Sequence, residues 1–177
     1  MNSTQQLLHE YNQGERNFSD ITLHGVDLSN HNLSGIDFNR ADLSGANLSG
    51  ANLSRANLSH ANLTDADLSG ADLSGAHLRE VNLIGASLNG ANLVGCNLIR
   101  ADMRTADMEK SDLRGANLTE ADISGANFRW VNLNSACLDG VDFEGVDFEG
   151  TDISHIRSHA GYTPTGISRS WVSWGAN

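Results

Sequence analysis

The chain has 177 residues, a net charge of −11 from 22 acidic and 11 basic side chains, and an aromatic content of only 6%. A length in this range predicts one domain, and no apolar run approaches the ~20 residues that a membrane-spanning helix needs. The chain has a single lysine. It therefore lacks the clustered positive charge with which proteins bind nucleic-acid phosphates directly.

The N-terminal segment predicts a short helix that covers one end of the molecule. Residues 3–13 have a helical pattern, with Gly14 as the stop. Leu7 and Tyr11 would lie over the structure that follows, so residues 1–15 are expected to form an N-terminal capping helix. No apolar stretch of the signal-peptide kind is present in this segment, and we expect a cytoplasmic protein.

A repeat of five residues dominates the rest of the chain. From Phe18 to Ile153 every fifth residue is large and apolar, and these 28 positions hold 19 Leu, five Phe, two Met and two Ile. Two residues earlier stands a small or apolar residue, Ala in 16 cases, and the residue between them is Asp in 12 repeats and Asn in another 12. Residues 16–155 are therefore 28 consecutive copies of the unit Ala-(Asp/Asn)-Leu-x-x.

A period of five fits neither a helix nor a flat strand. Leucines on a helix would advance by about 140° per repeat and never share one face, and on a flat strand they would alternate between its two sides. The chain must therefore turn once per repeat. Gly fills 14 of the 28 last positions, which suits turns with positive φ. At other corners, such as Arg40 and Arg55, we expect a type I-like turn that tolerates a side chain.

The repeats resemble those of the pentapeptide repeat family, for example in residues 46–50 and 71–75. This resemblance implies an all-β fold, a right-handed quadrilateral β-helix with four repeats in each coil. On that basis residues 16–155 make about seven coils and a rod roughly 34 Å long, at ~4.8 Å per coil. Residues 20 positions apart would then stack, so that Phe18 lies beside Phe38.

The coil arrangement places charged residues in columns. One corner column alternates in sign over most of its length, which would support the register by tenths of a kcal/mol per pair; it consists of Asp20, Arg40, His60, Glu80, Arg100 and Glu120. The acidic excess lies further along, because residues 131–155 hold six acids and no Lys or Arg, whereas residues 76–130 have a net charge of −1. The candidate protein-interaction surface is this acidic set: Asp139, Asp142, Glu144, Asp147, Glu149 and Asp152. The alternative is that these carboxylates only keep the end of the rod soluble.

The C-terminal residues 156–177 lose the five-residue period. They contain Trp171, Trp174 and two arginines but no acidic residue. Either this segment caps the last coil or its tryptophans join two subunits. We expect a monomer, with a homodimer through the C-terminal end as the alternative.

The sequence contains no constellation typical of catalysis, cofactor binding or metal binding. No pair among the seven histidines has a zinc-type spacing. His60 and His77 would lie on one side of adjacent coils, where solvated surface imidazoles are the simpler interpretation. Cys96 should be an inert packed thiol, and Cys137 lies two coils away, beyond disulfide reach. We therefore expect no catalytic, cofactor-binding or metal-binding residue, and no enzyme activity.

These observations predict a non-enzymatic rod that displays its surface to a protein partner, in a scaffolding or regulatory role, without direct binding to nucleic acid or membrane. No motif identifies the partner. The resemblance raises an alternative, because some quinolone-resistance members of the family are regarded as DNA mimics that engage type II topoisomerases such as gyrase. Duplex DNA carries about 20 charges over a rod of this length. Residues 16–155 have a net charge of −11 and lack the loops that interrupt the coils of those relatives.

Overall fold

A computed structural model describes residues 4–157. One helix, α1 (Thr4–Asn12), precedes a regular winding in which every five residues form one short extended piece and one turn. The β-structure consists of single-residue parallel bridges between residues 20 positions apart, from Asn17↔Asp37 to Cys137↔Arg157. Four repeats make up that step, so each coil has four walls. The predictions for the C-terminal segment beyond Arg157 lie outside the described residues.

The walls are named here by their position in the first coil. Wall 1 begins with residues 16–20, wall 2 with 21–25, wall 3 with 26–30 and wall 4 with 31–35. Each wall recurs 20 residues later in the next coil, and the seventh coil comprises residues 136–155. Between residues 4 and 157, no helix is long and apolar enough to cross a membrane.

The interior of the tube is lined by the Ala and Leu positions of each repeat. Ala71 and Leu73 are completely buried, whereas Asp72 between them points outward and is half-buried. Leu53 lies one coil earlier on the same wall, and its backbone N–H donates to the carbonyl oxygen of Asp72 at 2.7 Å. Each buried leucine contributes roughly 1.5–3 kcal/mol of gross stabilisation. The prediction that leucines 20 residues apart stack inside a tube is confirmed.

Aromatic side chains pack on one another at both ends of the tube. The rings of Phe18 and Phe38 are 6.2 Å apart, as the 20-residue period predicts. At the other end Phe148 contacts two rings, with centroid distances of 5.5 Å to Phe128 and 4.9 Å to Phe143. These are tilted arrangements of the kind that aromatic pairs prefer.

Each repeat satisfies all five of its backbone N–H groups, and the Asp or Asn side chain supplies one of the acceptors. In residues 71–75, three N–H groups bond to neighbouring coils and one closes a corner turn: Asp72 to Ala51 (2.9 Å), Leu73 to Asn92 (2.7 Å), Gly75 to Val94 (2.9 Å) and Ala71 to Leu68 (3.0 Å). The remaining N–H, that of Ser74, donates to Oδ1 of Asp72 at 3.0 Å. A short side chain with a carbonyl or carboxylate oxygen fits this role, which explains why 12 repeats have Asp and 12 have Asn at this position.

The corner turns have one conformation whether or not the last residue is glycine. Thirteen non-glycine corner residues have φ between +54° and +62°, close to the +64° of Gly75. The predicted type I-like turn at Arg40 and Arg55 is therefore wrong, because positive φ at this position belongs to a type II turn. The hydrogen bonds to adjacent coils impose the shape. Each corner must stack on the corner below it, so a side chain there accepts the left-handed backbone.

Helix α1 packs on the first coil. Leu7 is fully buried in the core, and Tyr11 is nearly so. The Tyr11 hydroxyl donates to the carbonyl oxygen of Ser34 at 2.8 Å. The guanidinium of Arg16 lies 3.9 Å from the centre of the Tyr11 ring and donates to the Tyr11 carbonyl at 2.7 Å. These contacts cover the apolar end of the first coil.

Candidate functional site

The six candidate acidic residues encircle the seventh coil instead of forming a single patch. They divide among all four walls: Asp139 on wall 1, Asp142 and Glu144 on wall 2, Asp147 and Glu149 on wall 3, and Asp152 on wall 4. A partner that docks from one side therefore meets the acids of one or two walls. The surroundings of each wall decide which acids present charge to it.

On wall 3 an arginine from the preceding coil neutralises the acids. Nη1 of Arg129 lies 2.6 Å from Oε2 of Glu149 and 3.4 Å from Oδ2 of Asp147. One guanidinium thus pairs with both carboxylates of this wall in the seventh coil. Wall 3 consequently offers less negative charge than its sequence suggests.

On wall 4, Asp152 belongs to a local cluster with a serine and a histidine. Hydrogen bonds from the side chain of Ser154 (2.6 Å) and from its backbone N–H (2.8 Å) lower the pKa of Asp152. Nδ1 of His155 lies 2.8 Å from the Ser154 hydroxyl and 3.3 Å from the Asp152 carboxylate. In a hydrolase triad the serine and the carboxylate contact opposite nitrogens of the imidazole. Here both contact the same nitrogen, so the cluster cannot activate Ser154 in that way.

Wall 2 carries a column of carboxylates with one cation. Asp102, Asp122 and Asp142 follow one another at 20-residue steps, and Glu144 lies beside the last of them. Arg104 is 2.8 Å from Asp102 and 3.8 Å from Asp122. Hydrogen bonds from the side chain and backbone of Ser124 also hold the pKa of Asp122 below its usual value. We call Asp122, Asp142 and Glu144 the acidic wall-2 strip.

The predicted charge column forms along the corner between walls 1 and 2. Adjacent coils are joined there by ion pairs of exposed side chains: Arg40 with Asp20 (2.7 Å), His60 with Glu80 (3.4 Å) and Arg100 with Glu120 (2.6 Å). Arg40 lowers the pKa of Asp20 through its hydrogen bond. Exposed pairs of this kind contribute roughly 0–1 kcal/mol each. The column supports the register and is close to neutral as a surface.

The histidines and cysteines are placed apart from one another. Within residues 4–157 no three His, Cys, Asp or Glu side chains come together in a group that could hold a metal ion. His77 is exposed on wall 1, and His60 pairs with Glu80 at the corner. Burial raises the pKa of the Cys96 thiol to about 12, so this residue stays a neutral, packed thiol. Cys137 is half-buried, with its thiol 3.4 Å from the Asp139 carboxylate.

Two residues that shape this end of the tube escaped the sequence reasoning. Arg129 neutralises wall 3, and the neighbouring Trp130 is a large side chain that is 56% exposed. The available signal was the position of Trp130 in its repeat. It occupies a corner at which Gly70, Gly90 and Gly150 stand in other coils.

A tube of stacked five-residue repeats, with its variable side chains outside, defines the molecule as a β-solenoid. The family model for pentapeptide repeats matches it in eight copies, over residues 17–55, 41–79, 76–115 and 111–150. The chain therefore belongs to the pentapeptide repeat family. A comparison with curated proteins found no match.

Solved structures of pentapeptide repeat proteins are similar to the chain. HetL, a protein involved in heterocyst differentiation regulation from the cyanobacterium Nostoc sp. strain PCC 7120, is 26% identical over 89% of this chain and 95% of its own, with a TM-score of 0.38. The protein alr5209 from Nostoc PCC 7120 is 26% identical over 84% and 98%, with a TM-score of 0.43. QnrB1, a plasmid-mediated fluoroquinolone resistance protein, is 20% identical over 80% and 84%, with a TM-score of 0.39. Because these TM-scores are low, family membership rests on the repeat model.

Proposed function

We propose that the protein is a non-enzymatic, right-handed rod that binds a basic protein partner through the acidic ring of its seventh coil, and chiefly through the acidic wall-2 strip. The observation that supports this most directly is the charge balance on wall 2. There four carboxylates, those of Asp102, Asp122, Asp142 and Glu144, accompany the single guanidinium of Arg104. The proposed role is scaffolding or regulation in the cytoplasm.

The regular hydrogen bonding of the tube suits such a role. Outward side chains stand on a backbone that is bonded to the coils above and below, so the carboxylates are held at fixed spacing before a partner arrives. Preorganised groups lose little conformational entropy on binding. Complementary charge favours rapid and selective encounter more than it raises affinity. A partner with a matching row of Lys or Arg side chains is therefore the expected class.

The test compares two charge-neutral variants of the seventh coil. Asp142→Asn with Glu144→Gln removes two charges from wall 2, and Asp147→Asn with Glu149→Gln removes the same residue types from equivalent positions on wall 3. Asn preserves the backbone contact, since Asn47 accepts the N–H of Ser49 at 3.1 Å just as Asp does elsewhere. The two variants therefore differ in the wall that they alter and not in the turn that they support.

The expected result is that proteins captured from lysate by the parent chain are retained by the wall-3 variant and lost by the wall-2 variant. Capture should also weaken as salt is raised, because exposed charges are screened beyond about 10 Å at 0.1 M ionic strength. Equal recovery by both variants and the parent would show that the carboxylates only solubilise this end. A loss restricted to the wall-3 variant would move the interface away from wall 2.

DNA mimicry that protects a type II topoisomerase is the alternative function. The acidic character of the chain supports it. The regular negative spacing of a DNA duplex is interrupted here by guanidinium groups that pair with neighbouring acids, such as Arg40, Arg100 and Arg129. A gyrase supercoiling assay with and without the protein tests this alternative. Inhibition, or protection against a quinolone, would favour it over the scaffolding role, and no effect at micromolar excess would remove it.

A further inference from the structure

Trp130 stands at a corner of the tube in a conformation that its side chain disfavours. It lies between walls 3 and 4 of the sixth coil, has φ of +58° and is 56% exposed. A residue with a Cβ atom loses free energy in the left-handed region, which glycine adopts without cost. The packing of Trp130 against the described part of the chain leaves more than half of its surface open. Some further contact of the indole would account for a tryptophan at this position.

The indole ring extends toward the C-terminal end of the tube. It lies flat over Gly150 in the seventh coil, so close that a Cβ atom built on Gly150 would be 2.6 Å from Cζ3 of the ring. Trp130 thus reaches from the sixth coil across the backbone of the seventh. Its open surface belongs to the rim of the tube at that end.

The core is more thinly covered at this rim than elsewhere. On wall 3, Ala126 and Phe128 in the sixth coil are 2% and 0% exposed, whereas Val146 and Phe148 in the seventh are 8% and 7% exposed. Ile153 on wall 4 is only partly buried. An apolar rim with an exposed tryptophan beside it is a surface that favours an aromatic or aliphatic occupant.

The chain itself supplies a segment of matching chemistry and sufficient length. Residues 158–177 include Trp171 and Trp174, one arginine and no acidic residue, whereas the seventh coil holds six acids and no Lys or Arg. Twenty extended residues can span about 66 Å, and a five-residue wall at most ~17 Å. A segment that starts beside Arg157 on wall 1 can therefore cross the end of the tube to walls 3 and 4.

We propose that residues 158–177 of the same molecule cover the C-terminal rim and pack Trp171 and Trp174 against Trp130. This contact is separate from the acidic wall-2 strip. It offsets the unfavourable backbone of Trp130 with aromatic packing, and the carboxylates of the seventh coil attract Arg169. The inference can therefore fail without affecting the partner-binding function proposed above.

A double-mutant cycle in the full chain tests the contact. The variants are Trp130→Gly, Trp171→Ala with Trp174→Ala, and all three together, with urea unfolding followed by far-ultraviolet circular dichroism. In the Trp171→Ala and Trp174→Ala background, Trp130→Gly should stabilise, because it only relieves the left-handed backbone. In the parent it should stabilise less or destabilise. The expected coupling is at least about fivefold in the unfolding equilibrium constant.

Additive effects of the two changes would overturn the proposal. Light scattering on the same samples separates the remaining outcomes. Coupling in a protein of monomeric mass, unchanged over a hundredfold range of concentration, supports packing within one molecule. Coupling that appears only together with a dimeric mass would mean that the segment of a second copy occupies the rim, and it would overturn the intramolecular assignment. Trp130→Gly restores the residue found at equivalent corners, so misfolding is not expected to obscure the result.

Discussion

Ser111 holds an inward position of wall 4 at which other coils have Ala91 or Val131. Its side chain is 1% exposed, and its hydroxyl has no hydrogen-bond partner. A buried polar group without a partner costs roughly 1–3 kcal/mol, because it has lost its bonds to water. Ser111→Ala should therefore raise the free energy of unfolding by about 1 kcal/mol, measured by urea denaturation.

Ala91→Ser, on the same wall one coil earlier, is the control for this prediction. It places a hydroxyl in an equivalent buried position, and it should lower the stability by a similar amount. If Ser111→Ala leaves the urea midpoint unchanged while Ala91→Ser lowers it, the Ser111 hydroxyl must have a partner such as an internal water. That result would contradict the assignment of Ser111 as an unsatisfied group.

The aspartates that accept hydrogen bonds at the base of each corner make stability depend on pH. Hydrogen bonds from the side chain and backbone N–H of Ser44 lower the pKa of Asp42 below its usual value of 3.8. A lowered pKa in the folded state means that the unfolded chain binds the proton more tightly. The resulting stabilisation is present above the unfolded pKa and is lost as the pH falls through the folded pKa.

Asp42→Asn should therefore reduce the loss of stability between pH 7 and pH 3. The amide can still accept the Ser44 hydrogen bonds, as Asn47 does from Ser49 at 3.1 Å and 2.7 Å, but it does not titrate. Urea midpoints of parent and variant at the two pH values give the comparison. The effect is partial, because the same hydrogen bonds lower the pKa of other aspartates, namely Asp27, Asp122 and Asp152. An equal loss in both proteins would show that Asp42 is not part of the acid response.

At the scale of one corner, the contact between Trp130 and Gly150 can be separated from backbone strain. Gly150 and Gly145 both have φ of +74°. A Cβ atom on Gly145 would meet nothing within 4 Å, whereas one on Gly150 would enter the space of the Trp130 ring. Both changes to alanine should cost about 1–2 kcal/mol from the left-handed backbone, and Gly150→Ala should cost roughly 1 kcal/mol more from the displaced ring.

Urea denaturation of the two alanine variants, alone and combined with Trp130→Gly, checks this expectation. Without the indole, Gly150→Ala and Gly145→Ala should become equal in effect. Two glycines of identical φ make the comparison independent of the exact strain energy. If the two variants already match in the presence of Trp130, the ring does not contribute to packing over Gly150.

The parts of the fold that the sequence predicts are those that depend on periodicity. The stacking of Phe18 on Phe38 and the ion pair of Arg40 with Asp20 both follow from a step of 20 residues. The conformation of Arg55 does not, because its local preference is a right-handed turn and the register between coils overrides it. Periodicity locates a residue on a wall, but it does not state the energy that the wall can impose on it.

The candidate surface shows a second limit of sequence reasoning. The acids between Asp139 and Asp152 are close along the chain, yet the coil distributes them over four walls. Arg129 stands outside that stretch, and it reaches Glu149 because residues 20 apart are neighbours in space. The prediction of an acidic region was therefore sounder than any prediction of a single patch. Charge balance must be counted wall by wall.

For the whole molecule, the strict register means that stability is a sum over coils and the contacts between adjacent coils. Each coil bonds only to the coils before and after it, as the bridges at steps of 20 residues show. An internal coil should therefore be removable as a unit. Deletion of residues 56–75 joins Arg55 to Ala76 and preserves all four walls. It also places Glu80 over Arg40, so the corner column keeps its alternation of charge.

This deletion should give a folded protein with the circular dichroism of the parent per residue and a single cooperative transition. At about 0.05–0.15 kcal/mol per residue, the loss of 20 residues lowers the free energy of unfolding by roughly 1–3 kcal/mol. Deletion of residues 56–77 is the matched control, since it removes only Ala76 and His77 in addition. It leaves one wall without its inward alanine and its hydrogen-bonding residue, so that this wall can no longer reach the next corner. We expect the control to lose the native spectrum. A similar modest loss in both variants would mean that the coils do not depend on a common register.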